Sequence, residues 1–121
     1  MVKYAELDLV FQALCDPTRR ALVEQLTLGP ASVSELAAPL PMSLPAVHQH
    51  LKVLERSALV RSEKVGRVRT CRLELTMLDT VQDWIDARRA TWERRLGRLD
   101  TYLAALPPET PASINQEKEQ V

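Results

Sequence analysis

Cysteine is almost missing from this chain: Cys15 and Cys71 are the two thiols in 121 residues. Two thiols cannot build the disulfide lattice on which small secreted folds depend. Glycine is equally scarce, with 3 residues, and no Gly-rich phosphate loop is present. Histidine occurs as His48 and His50 alone, with no Ser/His/Asp grouping beside them. Nothing there supports catalysis, and the sequence predicts no enzyme. No apolar run approaches the roughly 20 residues that span a bilayer. Met1-Val2-Lys3-Tyr4-Ala5-Glu6 lacks an apolar signal region. These absences leave the expectation of a soluble, cytoplasmic protein with no membrane contact. Its single domain is expected over residues 1–106, large enough for a modest core without a metal.

One further absence misleads. Net charge is zero, which argues against nucleic acid until its distribution is read. Residues 43–75 hold seven basic and three acidic groups, a local charge of +4. Residues 1–42 carry −2, residues 76–98 carry +1 and residues 99–121 carry −3. A local basic face attracts phosphate, and its field is screened beyond a Debye length of about 8 Å in cell-like salt.

Leu7, Val10, Phe11 and Leu14 fall at helical spacing and make one stripe. Asp16 is placed to cap a second helix, with Pro17 at its first position, where a missing N–H costs nothing. Ala21, Leu22, Leu26 and Leu28 form its apolar side, and Gly29-Pro30 stops it. Ser32 and Glu35 have capping-box spacing and open a short third helix. Ser43 caps a fourth, which tolerates Pro45 in its first turn. The pattern then changes to a two-stranded hairpin over residues 59–64 and 67–75, turning at Val65-Gly66. Thr76 is expected to cap a long last helix. Leu78, Val81, Ile85, Trp92, Leu96, Leu99, Leu103 and Leu106 repeat along it at spacings of 3 and 4, with Trp84 and Tyr102 flanking. So long a seam asks for a partner helix. Pro107-Pro108-Glu109-Thr110-Pro111 breaks it, and residues 107–121 are expected to form a disordered polar tail.

The fourth helix is the informative one. It buries Val47, Leu51 and Leu54 on one side and presents Ser43, Ala46, His48, Gln49 and Lys52 on the other. A helix with a small, polar N-terminal end is what reading base edges in a major groove requires. The basic segment Arg61, Lys64, Arg67, Arg69 and Arg72 follows at once. The fold class is therefore mainly α with a small β-hairpin: four helices, two strands and a fifth helix in a winged helix-turn-helix plan.

At this point the residues resemble a known family. Phe11-Gln12-Ala13-Leu14-Cys15-Asp16-Pro17-Thr18-Arg19-Arg20 is similar to the opening of the ArsR/SmtB family of bacterial transcriptional regulators. So are Leu44-Pro45-Ala46-Val47-His48-Gln49-His50-Leu51-Lys52-Val53-Leu54 and Ala58-Leu59-Val60. The resemblance covers about residues 5–104. It implies a homodimer built on the first and last helices, which places Leu7, Val10, Phe11, Leu78, Val81, Trp84, Ile85, Trp92, Leu96, Leu99 and Leu103 at the interface. It implies repression at a pseudo-palindromic site on double-stranded DNA, relieved by some signal.

Within that frame Ser43, Leu44, Pro45, Ala46, His48 and Gln49 occupy the reading end. Gln49 has the amide geometry for adenine, and Ala46 or Leu44 for a thymine methyl. His48 stands where relatives carry a small hydroxyl residue, which leaves its preferred base open. His50 lies on another face and is expected to pack against the first two helices. Lys64, Arg67 and Arg69, with Arg61, are assigned to phosphate or the minor groove, and Lys52 and Arg56 rank behind them. Arg19 and Arg20 either lie near DNA or form ion pairs within the fold, and the second is expected.

The sequence departs from the metal-sensing members. Ser32 and Ser34 stand in the third helix where those relatives carry Cys-x-Cys, and the last helix has no His or Cys. Asp79, Asp83 and Asp86 alone are a poor donor set for zinc or copper. No metal and no cofactor are therefore expected, and the inducer is left as an unknown small molecule or protein. Cys15 and Cys71 remain as redox candidates. Cys15 reads as a buried thiol, while basic neighbours are expected to lower the Cys71 pKa. An apolar ligand between Phe11, Trp84 and Trp92, and a protein-interaction module, stay open beside these.

Overall fold

The computed structural model describes residues 2–108. Its elements are α1 (Val2–Leu14), α2 (Pro17–Leu26), β1 (Ala31–Ser32), α3 (Val33–Ala37), α4 (Leu44–Arg56), β2 (Val60–Val65), β3 (Val68–Leu73) and α5 (Leu75–Ala105). The caps fall where the side chains dictate. Asp16 accepts a hydrogen bond from the Arg19 amide and Pro17 opens α2. Ser32 and Glu35 complete a reciprocal capping box on α3. Ser43 accepts from the Ala46 amide at the start of α4. Helix α5 begins at Leu75, two residues before the start that a Thr76 cap would give, and the Thr76 hydroxyl donates to Glu74 Oε1 at 3.0 Å.

Helix α4 ends in a left-handed residue that is not glycine: Ala58 has φ +61°. Its amide donates to Glu55 O at 3.0 Å and the next amide, Leu59, to Leu54 O at 3.1 Å. Both are the bonds of a Schellman stop. Leu54 and Leu59, the two residues such a stop brings together, are fully buried.

The sheet has three strands rather than two, in the order β1-β3-β2, all antiparallel. Ala31 and Ser32 pair with Cys71 and Thr70. A two-residue strand has no periodicity of its own, and its existence depends on a partner 40 residues away. Gly66, at φ +64°, takes the first position of the two-residue turn that joins β2 to β3.

By contact the chain forms two units, Met1–Trp84 and Ile85–Val121. In the first, Val10 and Ala13, Leu22 and Leu26, Val33 and Leu36, and Val47, Leu51 and Leu54 close a core with Leu59, Val60, Cys71 and Met77. Leu78 and Val81 pack on its edge. Two residues assigned to the dimer face are thereby corrected. Leu7 and Val10 are buried within the chain itself, leaving no surface for a partner. Phe11 stays half-exposed and meets Trp84 edge to face, ring centroids 5.9 Å apart. In the second unit the large apolar side chains Ile85, Trp92, Leu96, Leu99, Tyr102 and Leu103 of α5, and Leu106 just after it, are exposed. The proposed tail lies outside the described residues from 109 onward.

Candidate nucleic-acid interface

Helix α4 buries Val47, Leu51 and Leu54 on the core. The opposite surface exposes Ser43, Leu44, Pro45, Gln49, Lys52 and Arg56, with Ala46 half-buried beside them. This is a stripe of helical spacing whose first half is small and uncharged and whose second half is basic. Gln49, exposed, lies near its centre.

His48 sits differently from the outward face on which the sequence placed it. It is half-buried and turned towards the hairpin, where it lines a cleft with Ser34, Leu44, Lys64, Arg67 and Arg69. A second, deeper hollow joins His48 to Lys52, Glu55, Arg69 and Cys71. His48 therefore shares its surroundings with the wing cations.

Those cations are not equivalent. Lys64 and Arg67 are exposed and make no ion pair among the described residues. Lys64 stands directly across from Arg69 in the ladder, and facing like charges are unfavourable until an anion arrives. Arg69 donates from Nη1 to the Ser62 hydroxyl at 2.8 Å. That hydroxyl in turn donates to Glu55 Oε1. Arg61, expected at phosphate, instead pairs with Glu74 at 2.9 Å. The Glu74 carboxyl is held below its usual pKa, first by hydrogen bonds from Thr76 and then by the Arg61 and Arg72 charges.

Arg19 and Arg20 bond within the chain, but to backbone carbonyls rather than in the ion pairs expected. Arg19 donates to Ala13 O at 2.7 Å and Gln12 O at 3.0 Å, and Arg20 to Leu14 O at 2.8 Å. They satisfy the free carbonyls at the end of α1. Arg19 also reaches His50 Nδ1 at 3.3 Å, and Asp16 Oδ2 lies 3.8 Å from the same nitrogen. His50 thus packs against the α1–α2 junction. The Asp16 carboxyl is held low by the Arg19 amide, helped by the Arg19 and His50 charges.

The two thiols exchange roles relative to the sequence reading. Cys15 is exposed, its Sγ 3.0 Å from Gln12 O. Cys71 is fully buried, and burial, with the Glu55 charge adding to it, raises its pKa against a smaller opposing pull from Arg69. Proximity to arginine in sequence did not outweigh loss of solvent. Among the described residues no three His, Cys, Asp or Glu side chains gather as metal ligands would. No helix there is long and apolar enough to cross a membrane.

Glu55, Ser62, Ser34 and Glu74 escaped the sequence reading. Glu55 sits seven residues after His48 and so falls on the wing-facing side of α4. Ser62 becomes its partner only once the strand register is known.

Comparison with known proteins gives a consistent answer. A helix-turn-helix domain model matches residues 14–63. The HTH-type transcriptional regulator Rv2034 of Mycobacterium tuberculosis is 45% identical over 96 residues, covering 79% of this chain and 87% of that protein. The transcriptional repressor SdpR of Bacillus subtilis is 28% identical over 79 residues, covering 65% and 88%. The solved structure of the ArsR family transcriptional regulator RHA00566 superposes with a TM-score of 0.71 at 46% identity, over 74% of this chain and 92% of that one.

Proposed function

This chain belongs to the ArsR family of transcriptional regulators, and from that premise we propose that it is a homodimeric repressor of a pseudo-palindromic operator. One observation carries the reading: α4 exposes Gln49, and the residue before it, His48, shares a cleft with Lys64 and Arg67 of the hairpin, which make no ion pair among the described residues. One surface thus offers base-edge chemistry and phosphate chemistry together. Two-fold symmetry sets two such helices into successive major grooves, about 34–36 Å apart. Ser43, Leu44, Pro45, Ala46 and Gln49 read bases. His48, Lys52, Lys64, Arg67 and Arg69 hold backbone and fix register. The exposed Ile85, Trp92, Leu96, Leu99 and Leu103 of the second unit supply apolar area for the dimer, and Phe11 with Trp84 supplies apolar area on the first. The signal that lifts repression is one other than a chelated metal, since Ser32 and Ser34 offer no thiolate. If it is a thiol reagent, Cys15 is the accessible target.

Fluorescence anisotropy tests this with the metal-free protein, a duplex from upstream of its own gene and a shuffled duplex, over several salt concentrations. Tight, salt-sensitive binding to the first is expected. Gln49→Ala should lose about 1–3 kcal/mol on the operator and little on the shuffled duplex. Arg67→Ala should weaken both alike and reduce the salt slope by about 1. Equal losses for Gln49→Ala on both duplexes would sink the base-reading role. A wild-type protein with no salt slope would move the winged helix to protein contact.

A further inference from the structure

Ser62, we propose, is a positioning residue that holds Arg69 ready for a single DNA phosphate, an inference that rests on the DNA-binding reading above. The geometry begins in the sheet. Ser62 pairs with Cys71, and Lys64 pairs with Arg69. Arg69 is therefore the diagonal neighbour of Ser62, a separation that a long side chain spans. Its Nη1 donates to Ser62 Oγ at 2.8 Å. A serine hydroxyl has one proton, and here that proton goes to Glu55 Oε1 on α4. With the proton committed, the oxygen turns its lone pairs to the arginine. Donation thus runs in one fixed direction, from Arg69 on β3 through Ser62 on β2 to Glu55 on α4.

The spacer matters chemically. A carboxylate placed directly against Arg69 would take two donors in a bidentate pair and neutralise the charge. Through Ser62 the guanidinium gives up one donor and keeps the other four. Those remain for the cleft it shares with His48, Lys64 and Arg67. An unanchored arginine loses considerable rotamer freedom when it meets a phosphate. An arginine already held by one bond loses less, which is preorganisation.

A double-mutant cycle on the full-length protein tests this. Ser62→Ala, Arg69→Ala and the double variant would be titrated with the same upstream duplex across salt, with thermal unfolding of each recorded. Arg69→Ala should lower the salt slope by about 0.9, one phosphate. Ser62→Ala should weaken binding about three- to tenfold through the lost anchor, with the slope kept. In the Arg69→Ala background Ser62→Ala should change nothing; with Arg69 present, Ser62→Thr, which keeps a hydroxyl, should bind as the wild type does. If Ser62→Ala costs as much without Arg69 as with it, the serine is only a structural tie and the inference falls. It falls equally if Arg69→Ala leaves affinity and slope unchanged. Wild-type protein that binds without any salt slope defeats the DNA-binding reading itself, a different result from an additive cycle.

Discussion

Residues 1–84 and residues 85–105 contain similar apolar side chains and treat them in opposite ways. In the first, Leu22, Leu36, Leu54 and Leu59 are 0–1% exposed. In the second, Trp92 is 61% exposed, and Leu99 and Leu103 are 51% and 54% exposed. The first region closes its own core from four helices, a sheet and the start of α5. The second has one helical face, and a face needs another surface. Large contiguous apolar patches on a soluble domain mark a binding surface. The contrast separates what makes the chain fold from the face assigned above to the proposed dimer.

The sharpest way to break that contrast is Leu54→Ala. It should cost about 2–5 kcal/mol, as filled core positions do. Its unfolding midpoint should drop at every protein concentration. Trp92→Ala comes next. It should leave the fold of the first region intact and weaken the dimer by about 2–3 kcal/mol, roughly a hundredfold in its dissociation constant. Sedimentation equilibrium reads this directly, and an unchanged dimer would mean that Trp92 faces solvent in the assembly. Ala58→Gly has the opposite sign. Relieving a left-handed alanine should raise stability by about 1 kcal/mol, seen as a higher melting temperature with DNA affinity unaltered.

The smallest effect is the pH dependence. The carboxyls of Asp16, Glu35 and Glu74 sit below their ordinary values of 3.8 and 4.5 in the folded chain. Groups with lowered folded pKa add stability above their unfolded pKa, and that stability is lost as pH falls through the folded one. The melting temperature should therefore be flat near neutrality and begin to fall below about pH 4.5. Asp16→Asn keeps a capping oxygen but removes one titration, so its curve should fall less. Identical curves for both proteins would exclude Asp16 from the linkage.

Much of this fold was legible because its signals are local. Asp16, Ser32 with Glu35, and Ser43 announce helix starts within four residues of themselves. The cores of α2 and α4 follow from spacing. What failed was whatever depends on the other side of a contact. A stripe such as Leu7, Val10 and Phe11 says which side of a helix is apolar and does not say what covers it. The answer is divided: Leu7 and Val10 go inward and Phe11 stays at the surface. β1 was invisible because its two residues are a strand only by virtue of Thr70 and Cys71. At the candidate site, the outward Gln49 and the exposed Lys64 and Arg67 follow from helical and hairpin periodicity. The turn of His48 towards the wing, the capture of Arg61 by Glu74 and the Glu55–Ser62–Arg69 relay require the register between strands and helix.

The sheet order carries one more consequence. With β3 in the middle, β2 is an edge strand whose outer backbone groups meet no partner in the sheet. Exposed edges are where separate molecules zip together into aggregates, and charged side chains are a standard protection. Arg61, Glu63 and Lys64 all lie on β2. The charge that draws the wing towards a polyanion also keeps one wing from adding as a strand to another, so neutralising this strand would endanger solubility as well as affinity.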